Sequence, residues 1–386
     1  MTHSTPIQSQ HNVNPSNRFG WDYRALSKQL ATLPFAITDA HSHVNGAHAC
    51  KILREAMDLY GIGSIWSMTY LEQVPVVRAE LGDRLRLIAV PDFASKDRKH
   101  SLGAGFLERI EKYHELGSRL CKIWAAPRSV EFAIEAGDAT MFQLDAPLRV
   151  AAMELASSLG MSLMVHIADP DTWFQTRYSD AARYGTKSAQ YLPLERLLDR
   201  FTSPWLAAHM GGWPEDLHFL AGILDRHPNL FLDTSATKWM LREISKHPQG
   251  AVETFLERFR GRILFGSDIV TTDEHMSAGD AKSEMAAKAS RPEDAFDLYA
   301  SRYWALRTMW ESDFDGESPI ADPDLAMVDP QRFTALDAPR LRGQHLPPNL
   351  LKSLYVEAAA NFVSAGKRFE DSRTANTSGH TRPTHS

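Results

Sequence analysis

The stretch that decides the reading is Phe35-Ala-Ile-Thr-Asp39-Ala-His41-Ser-His43-Val44, an apolar run that ends in two histidines one residue apart. Residues two apart on an extended strand point to the same side, so His41 and His43 face together while Ser42 faces away. Two imidazoles on one face can share a cation. A His-x-His pair by itself is as often a turn or a half-exposed surface. What separates these readings is where the strand sits in the fold.

Seven further short apolar runs rich in β-branched and aromatic residues follow, at 63–69, 85–91, 119–125, 161–167, 205–209, 230–234 and 263–268. Helical patterns lie between them, at 50–60, 106–116, 147–159, 193–201, 214–226 and 250–259. Strand and helix in alternation predict right-handed crossovers and a parallel sheet. With eight strands, the α/β fold to expect is a closed (β/α)8 TIM barrel. A doubly wound open sheet needs fewer strands, and no Gly-rich phosphate loop follows the first one. After the eighth strand the pattern loosens over 269–346, an insertion with a helical segment near 292–310 and the loop SPIADPDLAMVDP. A helix at 348–363 reads as the one that closes the fold. Residues 1–20 and 366–386 carry too little apolar surface to fold and read as solvated tails, leaving 21–365 as a single domain.

Of the 386 residues, 43% are hydrophobic and 23% charged, enough for a sizeable core, and the formal charge of −6 has no long block of one sign. Neither nucleic acid nor a membrane surface is suggested as partner, so a small-molecule substrate is the expectation. Cys50 and Cys121 have no metal or redox spacing. The start of the chain lacks the basic and apolar regions of a secretory signal, so the reading is cytoplasmic. Whether the chain forms a homodimer stays open.

Three more residues of metal-ligand type close later apolar runs: His166 in SLMVHI, His209 in WLAAH and Asp268 in RILFGSD. Active sites of parallel barrels are built at the carboxyl ends of the strands. Singly, each is as well a hydrogen-bonded histidine or a turn cap. Together, at one rim, they would stay desolvated and mutually repelling without a cation between them. Lys122, in RLCKIWAAP on the fourth strand, either pairs with an anionic substrate group or packs its stem on Trp124. Arg128 and Arg242 lie in loops that should reach the same rim and could clamp an acid. Trp173, Trp213 and Trp239 follow strands five, six and seven and could line an aromatic pocket. Of the remaining histidines, His48 is the nearest reserve.

D-x-H-x-H on the first strand, His on the fifth and sixth and G-S-D on the eighth resemble the amidohydrolase superfamily. The closest resemblance is to amidohydrolase-related family 2, which includes decarboxylases similar to aminocarboxymuconate semialdehyde decarboxylase and also lactone and ester hydrolases. The likeness runs from about Ile37 to Phe362 and includes the ending LKSLYVEAAANF. It implies that His41, His43, His166 and Asp268 hold one divalent ion, zinc or else manganese, with His209 beside it as an acid/base or orienting group. Asp268 could bind the ion and also take a proton. Asp39 is then a supporting residue that orients a histidine or caps the strand end. The resemblance also offers a second metal, bridged by a carboxylated Lys122, as the less favoured arrangement.

A bound cation lowers the pKa of water from ~16 toward ~7, so the leading expectation is a metal-dependent hydrolase using activated water on an ester, lactone or amide. In that scheme Lys122 or Arg128 stabilises the oxyanion. The alternatives are a nonoxidative decarboxylase of an aromatic or unsaturated acid with the same ligands, and a barrel that keeps a metal for stability only.

Overall fold

The computed structural model describes residues 14–138, 140–141, 143–277 and 284–378. All eight anticipated strands are present: β1 (Ile37–His43), β2 (Ile62–Ser67), β3 (Leu85–Ala89), β4 (Leu120–Trp124), β5 (Ser162–His166), β6 (Trp205–Ala207), β7 (Leu230–Asp233) and β8 (Ile263–Leu264). Each pairs in parallel with the next in sequence order. A ninth strand, β9 (Ile269–Val270), pairs in parallel with β1 through Ser42↔Ile269 and His43↔Val270.

The run expected at 263–268 is thus the first part of an interrupted strand. β8 pairs with β7 and β9 pairs with β1. Between them the Ala40 N–H donates to the Phe265 carbonyl at 2.9 Å and the Asp268 N–H to the His41 carbonyl at 2.8 Å. These bonds close the sheet into a (β/α)8 TIM barrel, which leaves no exposed strand edge. The middles of β5 and β6 are apolar throughout; Leu163, Met164, Val165, Trp205 and Leu206 are fully buried, as expected of a parallel sheet covered on both faces.

The helices fall between the strands, with boundaries set by caps. The helix expected at 193–201 begins six residues earlier, as Lys187–Arg200, because the Thr186 hydroxyl accepts the Ala189 N–H at 3.3 Å and caps it there. Pro193 lies inside it. Asp216 likewise caps Leu217–Arg226, so that helix starts later than expected. The helix Pro292–Glu311 in the long stretch after β9 is largely buried and packs beside Ala47–Leu59.

Both tail boundaries need correcting. The chain is already docked at Asn14–Gly20: the Asn17 side-chain amide donates to Asp297 at 2.9 Å, and the Ala321 N–H donates to the Pro15 carbonyl at 2.8 Å. The closing helix does not stop near 363. It runs as Pro348–Lys352, a wider π turn at Ser353–Glu357, and Ala358–Ser378. At the π turn the Leu354 carbonyl accepts the Phe265 N–H of the broken eighth strand at 3.0 Å, a use that suits a carbonyl freed from the regular ladder. Farther along, Glu370 meets Arg119 at 3.6 Å, which holds the extra turns against the barrel. Residues 1–13 and 379–386 of the anticipated tails lie outside the described residues. Among the described residues, no helix is long and apolar enough to cross a membrane.

The loop SPIADPD is a strut. Arg242, on the helix Thr237–Ile244, is buried and pairs with Asp322, with Asp324 at 3.3 Å and with Glu243 at 2.5 Å. Asp324 also accepts the indole N–H groups of Trp173 at 2.8 Å and Trp239 at 3.0 Å, tying the loops after β5 and β7 to the insertion. Replacing Arg242 by Met should leave buried carboxylates without their cation and cost about 3–5 kcal/mol. The check is a denaturant unfolding curve; an unchanged midpoint would show that the strut bears no load.

Candidate metal centre

His41 is completely buried and its two ring nitrogens face different partners. Nδ1 lies 2.9 Å from Asp233 Oδ2. Nε2 lies 3.4 Å from Asp268 Oδ1, and His43 Nε2 lies 3.3 Å from the same oxygen. The ligand atoms of His41, His43 and Asp268 all fall within 4.8 Å of one another. In a tetrahedron with bonds of about 2.1 Å the edges are about 3.4 Å, so these separations fit three corners around a zinc-sized ion. Two imidazoles and a carboxylate suit Zn²⁺ or Mn²⁺. The side chains of His43 and Asp268 are 35% and 28% exposed while His41 is sealed, so the site opens toward the rim on their side.

The backbone at the rim is strained. Among the described residues five that are not glycine have positive φ, and four of them stand at strand ends here: His209 (59°), Met210 (52°), Ala236 (64°) and Asp268 (58°). Each left-handed non-glycine residue costs of order 1–3 kcal/mol and persists only where its surroundings hold it. The apolar run of β6 therefore ends at Ala207, two residues before His209, and His209 enters the site from a left-handed turn. Gly212 follows at φ +77°, where a Cβ would stand 2.1 Å from the Ala168 carbonyl oxygen, so only glycine fits.

Around this tripod the rings pack closely, His209 tilted 32° to His41 and edge to face with His166 and Trp239. His209 lies 4.8 Å from His41 and 4.5 Å from His166, centre to centre, with Trp239 5.5 Å away. Burial, reinforced by His166 and His41, holds the His209 imidazole well below its ordinary pKa and keeps it neutral. Burial pushes the Asp268 carboxyl up, but the His43 hydrogen bond and the nearby His41 and His209 outweigh it, so it stays ionised. Asp233 is held down in the same way, mainly by His41. Lys122 brings its ammonium to 3.1 Å from His41 Nε2, and burial lowers its pKa to about 8 against the pull of Asp268 and Asp233.

The structure thus gathers His41, His43, Asp268, His209 and Lys122 at one place. His166 reaches the same rim but stands apart from the ligand tripod, its Nε2 held by Asp169 Oδ1 at 2.7 Å. Asp39 touches no imidazole. Its carboxylate accepts the backbone N–H of His41 (3.2 Å) and of Ser267 (3.0 Å), the Ser267 hydroxyl (2.6 Å) and the Tyr303 hydroxyl (3.0 Å), so it anchors the seam between β1 and the broken eighth strand. Arg128 is exposed and pairs with Glu131, Arg242 is consumed by the strut, and Trp213 stacks on Tyr191 at 5.5 Å. Trp239 lines the histidine cluster instead, with Trp173 5.7 Å behind it, and His48 is surface-exposed beside Asp273.

Two residues absent from the sequence reading complete the site, Asp233 and Ser235. The signal for Asp233 was available: it closes the seventh apolar run, LFLD, at the same rim as the other ligand-type residues. His41, His209 and Asp233 also form a close, fully buried group, but hydrogen bonds through Ser235 fill it.

The family model described as amidohydrolase matches residues 140–363, more than half of the chain. The chain belongs to that family. The matched stretch contains His166, His209, Asp233 and Asp268, while His41, His43 and Lys122 precede it. No curated protein matches this amidohydrolase. Similar solved structures include a probable 2-pyrone-4,6-dicarboxylic acid hydrolase from Acinetobacter baumannii, at 12% identity over 69% of this chain and 92% of that one, with a TM-score of 0.40. The 5-carboxyvanillate decarboxylase of Sphingomonas paucimobilis matches at 13% over 71% and 98%, with a TM-score of 0.37. An amidohydrolase from Burkholderia multivorans matches at 10% over 85% and 99%, with a TM-score of 0.40. Likenesses this distant carry nothing about the reaction.

Elemental analysis of the purified amidohydrolase should find about one divalent ion per chain, lost in His43→Ala and in Asp268→Asn. Two ions per chain would instead point to a carboxylated Lys122 bridging them.

Proposed function

We propose that this amidohydrolase is a metal-dependent hydrolase of a small ester, lactone or amide. The observation that carries the reading is the convergence of the His41, His43 and Asp268 donors beside a neutral, buried His209. A divalent ion at that tripod supplies Lewis-acid polarisation of a carbonyl and a lowered pKa for water.

The chain's own groups have separate tasks. Asp233 orients His41 so that its Nε2 faces Asp268 and His43. His209, uncharged because it is buried, is able to accept a proton. Lys122, with its ammonium in the cluster, can balance negative charge that develops on a carbonyl oxygen. Trp239 forms an apolar wall that keeps water from the far side of the rings.

Decarboxylation of an aromatic acid is the second reading, and the Trp239–Trp173 wall beside His209 is the feature that favours it. It needs groups that grip a carboxylate, however, and of the two arginines expected to do so Arg242 is committed to the strut, while Arg128 is exposed beside Glu131.

A panel of lactones, aryl esters and anilides should be run against hydroxybenzoates in ¹⁸O-water, with product mass and carbon dioxide both followed. The expected result is one ¹⁸O in the acid product and a kcat lower by about 10²–10⁴-fold in Asp268→Asn. Carbon dioxide release without ¹⁸O uptake would overturn the hydrolase reading.

A further inference from the structure

Ser235 stands just beyond β7, fully buried, with its hydroxyl oxygen in contact with three groups. Oγ lies 2.9 Å from His41 Nδ1 and 2.7 Å from His209 Nδ1, and it donates to Asp233 Oδ1. A hydroxyl has one proton to give. Counting protons through this cluster assigns each of them.

Lys122 at 3.1 Å from His41 Nε2 can only donate, so that nitrogen keeps its lone pair. His41 therefore carries its proton on Nδ1 and donates it to Asp233 Oδ2 at 2.9 Å. Both Asp233 oxygens therefore act as acceptors, since its Oδ1 also accepts the backbone N–H groups of His209 at 2.9 Å and Ser235 at 3.0 Å. The Ser235 hydroxyl donates to that same Oδ1, an oxygen already accepting two backbone N–H groups. The serine proton is spent there. What Ser235 can offer His209 is a lone pair, so His209 Nδ1 must be the donor.

We infer that Ser235 is a positioning residue that sets the tautomer of His209, placing the proton on Nδ1 and leaving Nε2 as the ring's acceptor. The catalytic meaning of this rests on the hydrolase reading. As water adds to the carbonyl carbon, its oxygen forms the new C–O bond, the carbonyl π pair moves onto the carbonyl oxygen and one water proton passes to His209 Nε2. When the adduct collapses, that pair re-forms the carbonyl, the bond to the alcohol oxygen or amine nitrogen breaks, and His209 returns the proton to the leaving atom. While Nε2 holds the proton, the positive charge on the imidazolium is spread through Nδ1–H and Ser235 to the Asp233 carboxylate. A decarboxylase needs the opposite at this atom, because the ring carbon that loses carboxylate must receive a proton, and the resting Nε2 has none to give.

The test is the ¹⁵N spectrum of histidine-labelled protein, recorded as purified and zinc-loaded, with the His209 signals assigned by their loss in His209→Asn. The expected wild-type spectrum shows a protonated Nδ1 and an unprotonated Nε2. In Ser235→Ala the proton should shift toward Nε2, and kcat for the ester or lactone turned over should fall by about 10–100-fold with KM within about twofold. Ser235→Thr, which restores a hydroxyl, should return both. A wild-type His209 protonated at Nε2, or a tautomer indifferent to Ser235→Ala in a folded variant, overturns the inference. A tautomer that responds as stated in a protein without ester or lactone turnover supports the assignment of Ser235 and removes the hydrolase reading.

Discussion

The contact on which the rest of the site depends is the buried pairing of His41 with Asp233. It joins β1 to β7 over the intervening eighth strand, and neither side chain meets solvent. An ionised carboxylate so buried is costly unless every lone pair is used. Asp233 meets that condition with four donors, from His41, from the Ser235 hydroxyl and from the backbone of Ser235 and His209. In return it settles which nitrogen of His41 faces the cation-binding side. One carboxylate thus places the ring of His41 and the backbone of the neighbouring His209.

The strained backbone follows from the same arrangement. A strand delivers side chains at fixed intervals along a straight path, and four tethered groups seldom converge on one point that way. At His209, Ala236 and Asp268 the chain turns left-handed to aim its side chains inward. The cost is offset by packing and by hydrogen bonds such as those of Ser267 to Asp39 and of Thr237 to the Ser267 carbonyl at 2.9 Å. The eighth strand breaks at this place, and the closing helix lends it a carbonyl from its π turn.

Farther out, the insertion after β9 serves the rim as scaffolding. Arg242 and the Asp322 and Asp324 carboxylates form a buried network that fixes the helix Thr237–Ile244, which also carries Trp239. Because Trp239 forms one wall of the histidine cluster, the strut reaches the site through packing and not through any contact with substrate.

Local pattern by itself determined a good deal of this protein. Alternating short apolar runs and amphipathic stretches specify eight strands and a barrel, because burial on both faces demands near-continuous apolar strands and crossovers demand helices. The polar residues that close those runs, His41, His43, His209 and Asp268, stand out because nothing in a barrel wall would choose them. Lys122 stands out for the same reason. What only the tertiary structure decided is what those groups do to one another. The pairing of Asp233 with His41 joins residues 192 positions apart, and the removal of Arg242 from the site follows from carboxylates 80 residues downstream. Asp39 turned out to hold the barrel seam and no imidazole, since Tyr303 and Ser267 reach it first. Composition and period record what a residue is and which way it faces, but a proton's position on His209 depends on every donor and acceptor around it, and folding alone brings those together.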